Sequence, residues 1–237
     1  MLGWVTRRRL PPPGQRPSCP DLCSPPGLAV LENLIFYLNL LGTMVFALSG
    51  ALSAGRRRFD LSGVVLVACV VGVGGGTLRD LLLGLTPVFW VREPLWLGVS
   101  AATGAALFVI GRRWQPPYRL FLSADALGLG TFTVIGVERA LALGLHPAIA
   151  VLMGALTGVG GGFLRDVLCG EIPLILQREI YVTAALAGGA ALVLLAPAAP
   201  VGPWPTLACL LVVVGLRLAA IHWNLNLPVF GGRGWRG

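Results

Sequence analysis

The feature that most limits what this chain can become is one sixteen-residue element written twice. It runs from Gly72 through Val73, Gly74, Gly75, Gly76, Leu78, Arg79, Asp80 and Gly84 to Pro87. It returns 86 residues later, from Gly158 through Gly160, Gly161, Gly162, Arg165, Asp166 and Gly170 to Pro173. Eleven of the sixteen positions are identical. The same offset aligns Leu41 with Leu127, Gly42 with Gly128, Phe46 with Phe132, Gly50 with Gly136, and Arg92-Glu93 with Arg178-Glu179. The duplication therefore covers a unit of about three helices rather than one loop.

The surroundings of both copies are apolar. The chain is 56% hydrophobic and 12% charged, about half the charge of an ordinary soluble domain. The segments are apolar on all sides, with none of the ten-residue alternation of an outer-membrane barrel. An all-α polytopic membrane protein follows. Runs are expected at about 33–54, 61–76, 95–110, 120–142, 148–162, 180–196 and 207–223, seven spans in all, several long enough for roughly 30 Å of hydrocarbon. The first 30 residues, with Arg7-Arg8-Arg9 and Pro11-Pro12-Pro13, lack the apolar core of a signal peptide and hold too much proline for a packed helix. They read as a disordered tail. The expected divisions are this tail (1–30), a first repeat (31–114), a second repeat (118–198), a seventh helix (204–227) and a short C-terminal tail (228–237).

Three crossings is an odd number, so the second copy must enter the bilayer from the opposite side. The two repeats are then inverted about an in-plane pseudo-two-fold axis, as in many transporters. Basic residues cluster in the loops after spans one (Arg56, Arg57, Arg58) and three (Arg112, Arg113, Arg119) and at the C-terminus (Arg233, Arg236). That pattern places those loops in the cytoplasm and the N-terminus outside. It also accounts for the net charge of +8 without a nucleic-acid partner, since no basic groove with interleaved aromatics is present. Trp90, Trp96, Trp114, Tyr118, Tyr181, Trp204 and Trp223 fall near run ends, as an interfacial belt would.

Each glycine costs a helix roughly 1 kcal/mol relative to alanine, so Gly74–Gly76 and Gly160–Gly162 are expected to break their spans and leave room for a solute. Tight packing of small residues is the alternative. Neighbouring helical residues point about 100° apart, so Arg79 is expected to pair with Asp166, and Arg165 with Asp80, across the pseudo-two-fold. The alternative is that all four charges reach the headgroups. Asn39 aligns with Asp125, and a carboxylate inside an apolar run is a functional candidate. No Walker lysine, HExxH, CxxC or Ser-His-Asp grouping occurs. Cys19 and Cys23 have no histidine or second cysteine pair beside them, so no metal or cofactor is expected, and no enzyme.

The doubled GGGxxRDxxxGxxP element, the run from Asp125 to Gly136 and the seven spans resemble bacterial proteins built from two glycine-transporter domains. These are in turn similar to the trimeric intracellular cation channels. The resemblance covers about Leu34 to Leu227. It implies a homotrimer in the bacterial inner membrane, with a pore in each protomer between the glycine-kinked second and fifth spans, flanked by the first and fourth. The kinks would be Gly74–Gly76 and Gly160–Gly162, and the flanking charges Arg79, Asp80, Arg165 and Asp166. Asn39 departs from the expected aspartate and leaves Asp125 to act alone. Three functions are open at this point: a conduit for a small cation such as potassium, a carrier for glycine or another small amino acid, and a non-conducting scaffold.

Overall fold

The computed structural model describes residues 26–111, 117–176, 180–198, 203–223 and 225. The tail with Cys19 and Cys23, the basic pair Arg112-Arg113, Trp114, Arg178-Glu179 and the C-terminal arginines lie outside the described residues. Among the described residues the protein is entirely helical: α1 (Pro26–Arg56), α2 (Leu61–Leu82), the single turn α3 (Phe89–Arg92), α4 (Leu95–Gly111), α5 (Tyr118–Ala142), α6 (Pro147–Leu168), α7 (Val182–Leu195) and α8 (Trp204–Trp223). Five of these, α1, α2, α5, α6 and α8, are long and apolar enough to cross a bilayer. Helices α4 and α7 are apolar but shorter, at 17 and 14 residues.

The internal duplication is visible in the packing. Helices α1, α2 and α4 pack on one another, and α5, α6 and α7 repeat that arrangement. The two groups meet through α2 against α6 and α1 against α5, while α8 lies on α5 and α7. Arg57, just before α2, donates to the carbonyl of Gly170, just past α6, at 3.2 Å and pairs with Glu171 at 3.4 Å. The start of α2 and the end of α6 therefore share one end of the bundle, and these two helices run in opposite senses.

The glycine runs do not break their helices. Both α2 and α6 continue through the three glycines and for six residues beyond them, to Leu82 and Leu168. In apolar surroundings an opened backbone hydrogen bond has no water to replace it, so the weak propensity of glycine is outweighed. The helices end instead at Gly84 (φ 68°) and Gly170 (φ 64°). There the next amide returns to the carbonyl of Asp80 or Asp166 at 2.8 Å, a closure that needs the left-handed backbone glycine supplies. Asp60 caps the start of α2 by accepting from Gly63 N at 2.7 Å, and Pro147 occupies the first turn of α6, where its missing N–H costs nothing.

Candidate functional site

What the glycines do is bring α2 and α6 into contact. A methyl group at Gly75 would strike the Thr157 carbonyl, at Gly74 it would lie 2.5 Å from Leu164, and at Gly161 2.9 Å from the Phe46 ring. Gly160 faces Gly75 itself, and Gly76 and Gly162 receive Phe89 and the Tyr181 hydroxyl, each within 2.6 Å of where a methyl would sit. This seam is closed, and the expected opening at the glycines is absent. Phe46 and Phe132 stack alongside it.

The charges stand near the ends of their helices but inside the bundle. At 1.5 Å per residue, Arg79 stands about 27 Å along α2, in its last turn, yet it is 5% exposed and Asp80 is 3%. The cross-pairing expected between the repeats does not occur. Arg79 pairs with its own neighbour, Nε and Nη2 both donating to Asp80 Oδ1 at 2.9 and 2.7 Å. Arg165 likewise donates Nε to Asp166 Oδ1 at 2.7 Å, and its Nη2 lies 2.7 Å from the same oxygen as an ion-pair contact without a hydrogen bond. The angle between adjacent Cβ atoms is real, but arginine is long enough to fold back around the final turn. The second oxygen of each aspartate anchors the returning loop: Asp80 Oδ2 accepts from Phe89 N at 2.9 Å and Asp166 Oδ2 from Leu174 N at 2.8 Å.

Beyond this shared core the two copies differ. In the second, Arg165 extends Nη1 to Asp125 Oδ1 on α5 and, at 2.7 Å, to Ser49 Oγ on α1. Its guanidinium lies 4.6 Å from the centre of the Phe121 ring. Arg217 of α8 stands 4.0 Å from Asp125 Oδ2, donates to Ile180 O and covers Tyr181 at 4.7 Å. Asp125, Arg165 and Arg217 are each 0% exposed, so a carboxylate–guanidinium cluster fills this end of the bundle. Removing a single member would leave an uncompensated buried charge.

In the first copy the same positions line a cavity of about 440 Å³. Shifting the cluster by 86 residues exchanges Asp125 for Asn39, Ser49 for Ile135 and Phe121 for Ile35. All three replacements line the cavity together with Arg79, Asp80 and Glu138. Arg79 therefore meets neither a carboxylate nor a hydroxyl where Arg165 meets both, and a smaller side chain replaces a ring. The cavity lies at the end of the bundle opposite the Arg57–Glu171 contact, since it collects the last turns of α2 and α5 and the first of α4.

The structure thus groups Asp125, Arg165 and Asp166 at one end, Asn39, Arg79 and Asp80 at the other, and the six glycines between. Ser49, Arg217, Tyr181 and Glu138 are site residues that sequence reasoning does not reach. Ser49 and Arg217 come from α1 and α8, outside the second repeat, and Glu138 accepts from Thr206 of α8 at 3.0 Å. The aromatic-belt expectation fails at Tyr181 and Trp96, which are buried, while Trp204 and Trp223 are exposed. Among the described residues no three His, Cys, Asp or Glu side chains are grouped to hold a metal.

Comparison with known proteins agrees with this duplicated geometry. The family model described as glycine transporter matches residues 36–112 and again 122–197. The UPF0126 inner membrane protein YadS of Escherichia coli K12 is 46% identical over 202 residues, covering 83% of this chain and 96% of its own. The trimeric intracellular cation (TRIC) channel orthologue from Rhodobacter sphaeroides superposes with a TM-score of 0.78 at 44% identity, covering 81% of this chain and all of its own. A prokaryotic TRIC channel solved in 0.5 M KCl gives the same TM-score at 33% identity, over 83% of this chain and all of its own.

Proposed function

This chain belongs to the glycine transporter family, and we propose that it is a bacterial inner-membrane channel passing a small monovalent cation, potassium foremost. The observation that carries the reading is the pair of polar ends on the α2–α6 seam: an open cavity lined by Asn39, Arg79, Asp80 and Glu138, and a buried cluster around Asp125. Buried ionisable groups inside a bundle mark an ion path, and the similar solved structures are cation channels by name. The path runs along Gly74–Gly76 and Gly160–Gly162 between α2 and α6, flanked by α1 and α5, and is shut in the conformation described. Carboxylate and backbone oxygens replace part of the ion's water shell on the way.

In this reading all seven apolar helices other than α3 cross the bilayer, the two three-helix repeats (31–114 and 118–198) are inverted, and residues 204–227 form the unpaired seventh. The opposed senses of α2 and α6 support the inversion. Loop arginines favour a cytoplasmic end at Arg56–Arg58 and an external cavity. The assembly is a homotrimer in the lipid bilayer, as the relatives' name suggests. The description of the family model favours one rival, a carrier for glycine or a similar amino acid. A carrier of that kind would hold the substrate carboxylate at half-helix N-termini, and the continuity of α2 and α6 through their glycines weighs against it.

Purified protein in liposomes tests the choice. A potential-driven potassium influx that does not saturate is the expected result. Saturable glycine counterflow without such influx would replace the channel with the carrier, and silence in both assays would leave a scaffold.

A further inference from the structure

We propose that Glu138 is the residue that collects monovalent cations at the open end of the bundle, and that Thr206 of α8 positions it. This rests on the channel reading above and adds to it a selectivity determinant that the duplicated motif does not contain.

Three carboxylates line the cavity, and their situations differ. Asp80 gives one oxygen to Arg79 and the other to Phe89 N. Glu93 is exposed and accepts from Trp96 Nε1 at 3.1 Å. Glu138 is half-buried, and its Oε1 accepts from Thr206 Oγ1 at 3.0 Å. Among the described residues Glu138 forms no ion pair, and its Oε2 accepts from nothing. Arg139 beside it is exposed and does not fold back as Arg79 does onto Asp80. A partly desolvated carboxylate without a counter-charge is costly, and a cation arriving in the cavity relieves that cost.

The placement follows from how the repeats combine. Ile135, Glu138, Arg139 and Ala142 all line the cavity, at the spacing of one helix face. The repeat mate of Glu138 is Leu52 (138 − 86 = 52), an apolar core residue. Helix α5 therefore carries one carboxylate toward each end, Asp125 and Glu138, thirteen residues (138 − 125 = 13) or about 20 Å apart. Glu138 brings to the first repeat's end the charge that Asn39 lacks. Thr206, 1% exposed, comes from the helix with no repeat mate. Its hydroxyl fixes one oxygen of Glu138 without neutralising it, as a lysine or arginine there would.

This donor set selects by charge number. One unclaimed carboxylate oxygen and the neutral amide of Asn39 fall far short of the six to eight oxygens a calcium ion gathers. A monovalent ion is held weakly enough to leave again, which conduction requires.

Single-channel recording at two salt concentrations tests the assignment. In about 0.01 M potassium chloride the screening length is about 30 Å. Glu138→Gln should there lower the unitary conductance roughly fivefold, the weight of one unit charge at contact distance in water. In about 1 M salt the length falls to about 3 Å, and variant and wild type should converge. Thr206→Val should show a smaller loss with the same salt dependence, and Thr206→Ser, which keeps the hydroxyl, should conduct like wild type. Equal conductance of Glu138→Gln and wild type at low salt overturns the proposal and leaves the channel reading standing. A loss of equal size at both concentrations also overturns it, since that marks damage to the path rather than lost cation collection. Thr206→Ser as impaired as Thr206→Val removes the positioning role. A wild type that passes no current at either concentration removes the channel reading, and this cation site with it.

Discussion

Phe46 and Phe132, 86 positions apart and equivalent in the duplicated sequence, stack nearly parallel, with ring centres 5.2 Å apart and an angle of 8° between their planes. A residue touching its own repeat mate marks the line about which the two halves are related. Phe46 also packs on Gly161 and Gly128. The centre of the bundle is thus aromatic and glycine-lined, with buried threonines, and its charged groups are displaced to the two ends.

The seam should not tolerate a methyl. Gly75→Ala places a carbon against the Thr157 carbonyl, and Gly136→Ala places one 2.7 Å from Gly154 Cα. Backbone cannot step aside as a side chain can, so each substitution should cost about 1–3 kcal/mol. Thermal unfolding in detergent checks this, with Gly98→Ala as the control, since nothing lies within 4 Å of that position. The control should be neutral or slightly stabilising.

Asp80 carries two tasks, one oxygen for Arg79 and one for Phe89 N. Asp80→Ala should destabilise the protein by about 3–5 kcal/mol, the cost of stripping a buried pair of one partner. Asp80→Asn retains an acceptor and should lose less. Proteolysis of the 83–94 loop would report the difference, with the alanine variant cut faster.

Asp60 lies outside the spans. Its acceptance of the Gly63 amide, and then of the Ser62 hydroxyl, holds its carboxyl below the usual range. A lowered folded value means stability present above about pH 4 and lost as pH falls through the folded value. Wild type should therefore unfold at a higher temperature than Asp60→Ala at pH 7, and the gap should shrink on acidification. An equal gap at pH 3 and pH 7 would contradict this role.

Cys169 follows the last residue of α6 and is 4% exposed. Burial first, and then Glu171, pushes its thiol up to about 11. Because the thiolate is the reactive form, maleimide should modify it very slowly at pH 7.5 and faster as pH rises. Rapid modification of the native protein at neutral pH would show that this end of the bundle is open.

The duplication, the helical class and the two charged motifs could all be read from the residues, because a repeated pattern needs no tertiary information. Helix continuity is not legible in the residues, because propensity speaks for glycine in water, whereas the apolar interior penalises an open backbone far more. Pairing is not legible either, because Cβ directions say little about so long a side chain. The asymmetry of the ends was half visible: Asn39 against Asp125 stands in the sequence, but Ser49 against Ile135 acquires meaning only once α1 and α6 are in contact. Arg217 sits in an apolar run with no repeat mate, and nothing in that run connects it to Asp125.

The central claim is that cations pass through this protein, and current recorded across a planar bilayer under a potassium chloride gradient tests it most directly. The expected reversal potential lies close to the potassium equilibrium value, and moves toward zero in Asp125→Asn as the carboxylate's selectivity is lost. Reversal at the chloride potential in the wild type, or no current at all from protein that exchanges glycine, would contradict it.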